Sequence, residues 1–115
     1  MNPQFFQRVN ALCAICPASW ESGDRTPQHN ARVGGAPNSW HVKQQAIDLV
    51  YDTPEELQVA AQEAIRQGFM GVEMDLTNLH LHLDGRTSRW WVVKDAQGYH
   101  DLADYLTQLK PSATV

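Results

Sequence analysis

The segment Leu79–Asp84 has the sequence LHLHLD. Leucine alternates strictly with a polar residue, and this period of two is typical of a β-strand with one buried face. In such a strand the three leucines enter the core, while His80, His82 and Asp84 project together from the opposite face. The segment therefore predicts a half-buried strand whose polar face is either simply exposed to solvent or part of a binding site.

Two helices are predicted on the amino-terminal side of this strand. Asn2 and Pro3 form a helix start, and apolar residues then recur at helical spacing up to Pro17. A capping box at Thr53–Glu56 begins a second helix, which ends at Gly68. The stretch Glu21–Asn38 between them is rich in Gly, Pro, Ser and Asn, and an irregular stretch of this length is uncommon in a small domain unless it serves a site.

The remaining segments predict a small sheet. Strand patterns occur at Ala46–Tyr51, Phe69–Met74 and Arg89–Val93, and a short terminal helix is predicted at Leu102–Leu109. The order is helix, long loop, strand, helix and then three strands in antiparallel succession. This order predicts the α+β class, with a small antiparallel sheet packed by helices, in a single domain over residues 1–115.

Composition excludes several functional classes. The formal net charge is -4, so the chain lacks the basic surface that would neutralise nucleic-acid phosphates. No apolar run approaches the roughly 18 to 20 residues that cross a bilayer, and the amino terminus lacks the features of a signal peptide. We expect a soluble monomer that is made in the cytoplasm, binds no nucleic acid and does not insert into membranes.

The two cysteines, Cys13 and Cys16, share their spacing with redox motifs and with half of a zinc knuckle. A knuckle needs a second pair, which the sequence does not contain. A redox site of the thioredoxin type needs a strand before the pair, whereas a helix is predicted here. We interpret them as buried thiols or as one local disulfide.

Asp48 lies in the apolar strand segment Ala46–Tyr51, where an unpaired carboxylate would be costly to bury. A nearby cation would offset that cost, and His41 lies seven residues earlier at the end of the long loop. A partner arginine or a capped loop would satisfy the carboxylate equally well. The residues alone therefore leave a metal site and a structural ion pair open.

Three blocks of sequence, taken together, resemble a known family. They are the loop segments Ser22–Asn30 and Val33–Ser39; the set Ser39, His41, Ala46 and Asp48; and His82-Leu83-Asp84 with Arg89-Trp90. Their order and spacing over roughly residues 1–93 resemble small phage and bacterial members of the zinc D-alanyl-D-alanine peptidases. The wider group includes lysostaphin-type enzymes and the hedgehog signalling domain.

The resemblance implies a function and a set of site residues. His41, Asp48 and His82 would hold one zinc ion, with a fourth position left for water, as in catalytic zinc sites. The substrate would be a peptidoglycan stem peptide, cut by a D-Ala-D-Ala carboxypeptidase or an endopeptidase that reaches the cell wall after release or delivery. Arg25 would orient that substrate through a peptide oxygen or a terminal carboxylate.

Two residues depart from the family pattern. Gln44 replaces the signature glycine between the first two metal ligands. Leu79 stands three residues before the last histidine ligand, where many relatives carry an acidic general base. We expect the proton acceptor to be Asp75 first, then His80, with Glu73 as a weaker candidate.

Three hypotheses from different classes follow. The first is the zinc peptidase, and the second is a zinc-bearing binding or structural domain without turnover, which Leu79 favours. The third is an α+β domain that binds no metal. The role of Asp84 has two alternatives. It could hold a ligand histidine in one tautomer, or it could pair with Arg86 or Arg89 on the surface.

Overall fold

A computed structural model describes residues 2–22 and 45–109 of the protein. The elements in these ranges are, in chain order, α1 (Pro3–Ile15), β1 (Trp20–Ser22), β2 (Ala46–Val50), α2 (Pro54–Arg66), β3 (Gly71–Asp75), β4 (His80–Asp84), β5 (Trp90–Asp95), β6 (Gly98–Asp101) and α3 (Leu102–Leu109). The α+β class predicted from the sequence is confirmed.

Both long helices begin with the predicted caps. The Asn2 side chain accepts a hydrogen bond from the Phe5 amide at 3.0 Å, and Thr53 Oγ1 accepts from the Glu56 amide at 3.1 Å. These bonds satisfy amide groups that a helix start would otherwise leave unpaired. The Glu56 carboxylate accepts from the Asp52 amide at 3.3 Å rather than from Thr53, so the capping box is not reciprocal.

The strands form one sheet in the order β1-β2-β4-β3-β5-β6. β4 is antiparallel to both β2 and β3, as the alternating sequence predicted. β5 runs opposite to β4 in direction but pairs with β3, to which it is parallel. The predicted antiparallel succession is therefore wrong at this pair, because β2 and β3 already occupy both edges of β4.

The alternation in β4 separates the sheet into two faces. Leu81 and Leu83 lie on the face that packs against the helices, and both are fully buried. Their neighbours on this face include Ile47, Leu49, Val72, Met74 and Val93, which join residues of α1 and α2 in the core. The opposite face of β4 carries His80, His82 and Asp84.

Two short edge strands were not predicted. β1 falls partly within the stretch that the sequence analysis treated as irregular, and it pairs antiparallel with β2. β6 follows a tight turn after Asp95 and pairs antiparallel with β5. β1 has 3 residues and β6 has 4, which is too short for strand periodicity to reveal them.

Both cysteines are free thiols, with Cys16 buried and Cys13 half-buried. Burial raises the pKa of each thiol above its usual value, which favours the unreactive protonated form. Among the helices of residues 2–22 and 45–109, none combines the length and apolar character needed to cross a membrane.

Candidate metal centre

The polar face of the sheet brings three functional candidates into one row. Asp48 on β2 pairs in register with His82 on β4, and His82 pairs with Glu73 on β3. Directly paired residues project from the same face of a sheet, with Cβ atoms only about 4.5 to 5.5 Å apart. The row therefore places a carboxylate on each side of one imidazole.

The Asp48 and His82 side chains are in direct contact. Asp48 Oδ1 lies 3.1 Å from His82 Nδ1, and each side chain keeps about a fifth of its surface exposed (22% and 20%). One oxygen donor and one nitrogen donor thus face the same space at the solvent boundary. This is the ligand chemistry that zinc accepts.

Asp84 and Arg86 fix the other side of the His82 ring. Asp84 Oδ2 lies 2.8 Å from His82 Nε2, and Asp84 is fully buried. Arg86 donates to both Asp84 oxygens, from Nε and Nη2, at 2.8 Å each. Asp84 therefore contacts both His82 and Arg86, in a buried rather than a surface position, and His82 Nδ1 faces Asp48.

Gly71 makes this arrangement possible, and the sequence analysis missed it. A Cβ atom placed on Gly71 would lie 1.8 Å from Asp84 Oδ1, so no side chain fits there. Gly71 is the register partner of Asp84 across β3 and β4. The signal was present in the sequence, because a period-two pattern that includes Glu73 and Asp75 also places Gly71 on the polar face.

Trp90 lines the same side of the sheet. Its ring meets the His82 ring edge to face, with centroids 6.2 Å apart, and Arg86 lies over it at 4.3 Å. Trp91 faces the opposite side, where its indole N–H donates to the Phe69 carbonyl at 3.0 Å. Trp90 therefore supports the site, whereas Trp91 belongs to the packing of the sheet.

The surrounding carboxylates control the protonation of His82. Burial lowers the pKa of His82, but hydrogen bonds and charges from Asp48 and Asp84 outweigh that effect and raise the pKa to about 9. Burial likewise raises the pKa of Asp84, and the bonds from His82 and Arg86 more than offset it, leaving a pKa of about 2. Since carboxylates only accept, both ring nitrogens carry protons when no metal is bound.

Asp75 occupies the turn between β3 and β4. Its Oδ1 accepts from the Thr77 amide at 2.9 Å and from Thr77 Oγ1 at 2.5 Å, and Asn78 donates to both of its oxygens at 3.3 Å. Burial raises the pKa of Asp75, but these donors outweigh burial and lower it below the usual value. The carboxylate thus stabilises a turn as well as lying on the polar face.

Glu73 and His80 lie on the same face as the metal candidates. Glu73 is half-buried, and burial raises the pKa of its carboxyl against the opposing charge of His82. His80 pairs in register with Val50 and with Asp75, one row away from His82. Glu73 therefore lies in the row with Asp48 and His82, and His80 lies in the next row.

Two predicted site residues, His41 and Arg25, lie outside the described residues. Within the described ranges, no group of three or more His, Cys, Asp or Glu side chains is arranged to hold a metal ion. Asp48 and His82, which lie in contact, are of the donor types that zinc accepts in proteins.

Comparison with known proteins agrees with this chemistry. The sequence model of the peptidase M15 family matches residues 2–84, which is well over half of the chain and includes both Asp48 and His82. No curated protein matched the chain. Peptidases of this family are zinc-dependent. The chain belongs to the peptidase M15 family of metallopeptidases.

Proposed function

We propose that the protein hydrolyses a peptide bond in peptidoglycan stem peptides, with one zinc ion held by His41, Asp48 and His82. The observation that carries this proposal is the 3.1 Å contact between Asp48 Oδ1 and His82 Nδ1 within the region that matches the M15 family. Two ligand types of the right chemistry converge at the solvent boundary, where a peptide can approach.

Zinc, when bound, polarises the scissile carbonyl and lowers the pKa of a water molecule. The side chains of this protein have separate tasks around it. Asp48 and His82 hold the ion, and Asp84 keeps the ring of His82 oriented by accepting from Nε2. Arg25 would bind a peptide oxygen or terminal carboxylate of the substrate through its planar guanidinium.

His80 is proposed to donate a hydrogen bond to the carbonyl oxygen as negative charge develops on it. It projects from the same face as His82 at the next residue pair along β4. A donor aimed at that oxygen would stabilise the transition state more than the bound substrate. This assignment predicts a loss in kcat for His80→Ala without loss of the metal.

The experiment that tests the function is digestion of purified peptidoglycan with mass spectrometry of the products. Wild type should release a defined peptide fragment, whose mass distinguishes removal of a terminal D-alanine from cleavage within the stem or a cross-bridge. His82→Ala should release none. His100→Ala is the control, since His100 contacts Asp95 and lies outside the row of Asp48 and His82.

A second candidate is a zinc-bearing binding domain without turnover. It is favoured by Leu79, which occupies the position of the acid in many relatives and packs against the core. Zinc binding together with an absence of any peptidoglycan product would support this candidate and would overturn the peptidase.

A further inference from the structure

The proposed hydrolysis needs a proton acceptor, and the position where many relatives carry it is occupied here by Leu79. Leu79 packs against the core with a backbone φ of 56°, in the left-handed region. Asp75 is engaged by donors from Thr77 and Asn78, which hold its carboxylate in the turn. A proton acceptor must lie on the polar face and within reach of the ligands, which neither position satisfies well.

Glu73 satisfies both conditions. It is the direct register partner of His82 and lies on the flank of His82 opposite Asp48. Glu73, His82 and Asp48 therefore form one continuous row across three neighbouring strands. Asp75 and His80 belong to the next row, one residue pair further along the strands.

The surroundings of Glu73 keep it close to this row. Gly71 and Asp75 are its neighbours on the same face of β3, and Val92 lies beside it on β5. Gly71 presents no side chain, and Val92 presents only an apolar one. The glutamate therefore lies between Val92 on one side and the charged pair of His82 and Asp48 on the other. Lys94, one residue pair further along β5 on the same face, is close enough for its charge to act on the Glu73 carboxyl.

We propose that Glu73 is the general base of the reaction, an inference that rests on the proposed function. An O–H bond of the attacking water breaks as its proton passes to a Glu73 carboxylate oxygen, and the water oxygen forms a bond to the scissile carbonyl carbon. The same proton then passes to the amide nitrogen as the C–N bond breaks. One water is consumed, and Glu73 ends in its starting state.

The test compares Glu73→Gln with wild type in two independent measurements. Glutamine keeps the size of glutamate but cannot accept the proton, so hydrolysis of peptidoglycan should fall by roughly 100-fold or more. Zinc affinity, measured by competition with a chromogenic chelator, should stay unchanged because Glu73 is not a ligand. Unchanged zinc binding also reports that the variant is folded.

Three further variants sharpen the result. Glu73→Asp retains a carboxylate that is one methylene shorter, and its rate should fall between those of wild type and Glu73→Gln. Asp75→Asn should lower the rate much less than Glu73→Gln does, because the donors of the turn hold the Asp75 carboxylate. Glu55→Gln, on the exposed start of α2, is the control for loss of a glutamate and should match wild type.

Two outcomes would overturn the assignment. Near wild-type hydrolysis by Glu73→Gln would exclude a proton-transfer role, and a loss of zinc in that variant would make Glu73 a ligand or a support of the metal instead. An absence of hydrolysis by wild type itself is a different result, because it removes the proposed function and with it the need for a base.

Discussion

The orientation of the His82 ring depends on Asp84, which packs closely against the backbone of Gly71. Asp84 fits beside β3 only because residue 71 is a glycine. Gly71→Ala would push the Asp84 carboxylate away from His82 Nε2, and loss of such a partner typically weakens metal binding by roughly 10- to 100-fold.

Competition titration with a chelator measures that loss, with Asp84→Asn as a companion variant that weakens the same bond directly. Gly71→Ala and Asp84→Asn should both bind zinc more weakly than wild type. A Gly71→Ala protein that is folded and binds zinc as tightly as wild type would mean that Asp84 does not orient the ligand.

Asp75 gives the turn between β3 and β4 a pH-dependent stability. Its pKa is lowered in the folded protein, so its contribution is complete above the unfolded pKa of about 3.9 and is lost as the pH falls through the folded value. Asp75→Asn should lower the free energy of unfolding by about 1 kcal/mol at neutral pH.

Urea unfolding at neutral pH and near the acid limit of the folded state measures this difference. The difference in the free energy of unfolding between wild type and Asp75→Asn should become smaller as the pH falls. A difference in the free energy of unfolding that stays constant with pH would show that the charge of Asp75 does not stabilise the turn.

At the scale of residues, the sequence predicted which side chains share a face but not which of them touch. The alternation of Leu79–Asp84 placed His82 and Asp84 on one face, as the structure has them. The contact between His82 and Asp48 depends on the register of β2 and β4, which no local pattern encodes. The role of Gly71 depends on the register of β3 in the same way.

Among the helices, α2 offers the clearest test of a local signal. Thr53 Oγ1 caps the Glu56 amide, and loss of such a cap costs about 1 kcal/mol. Thr53→Ala should therefore lower the melting temperature by several degrees. Thr107→Ala is the matched control, because Thr107 lies exposed within α3 and its hydroxyl donates to the Ala103 carbonyl. Equal melting temperatures for the two variants would show that the Thr53 cap does not stabilise the protein.

The directions of the strands could be predicted from the sequence, but the pairing of the strands could not. The sequence predicted that β3, β4 and β5 alternate in direction, and they do. Consecutive strands often pair, which made β4 the expected partner of β5. β4 is instead a central strand with β2 and β3 on its two edges, and β5 extends the sheet from β3.

For the molecule as a whole, the helices and the polar row have separate roles. α1 and α2 bury the leucines of β4 and the apolar residues of β2 and β3 on one side of the sheet. The site candidates lie on the other side of the sheet, outside the leucine core. This separation follows from the period of two in the strands and was predictable from the sequence.

Elemental analysis of the purified protein shows whether Asp48 and His82 hold zinc, as we propose. Wild type and the His100→Ala control should each carry one zinc ion per chain, while Asp48→Ala and His82→Ala should lose it without losing their helical and sheet content. Full zinc content in a folded Asp48→Ala or His82→Ala protein would exclude that residue as a ligand, and wild type without zinc after exposure to the metal would rule out the proposed zinc site.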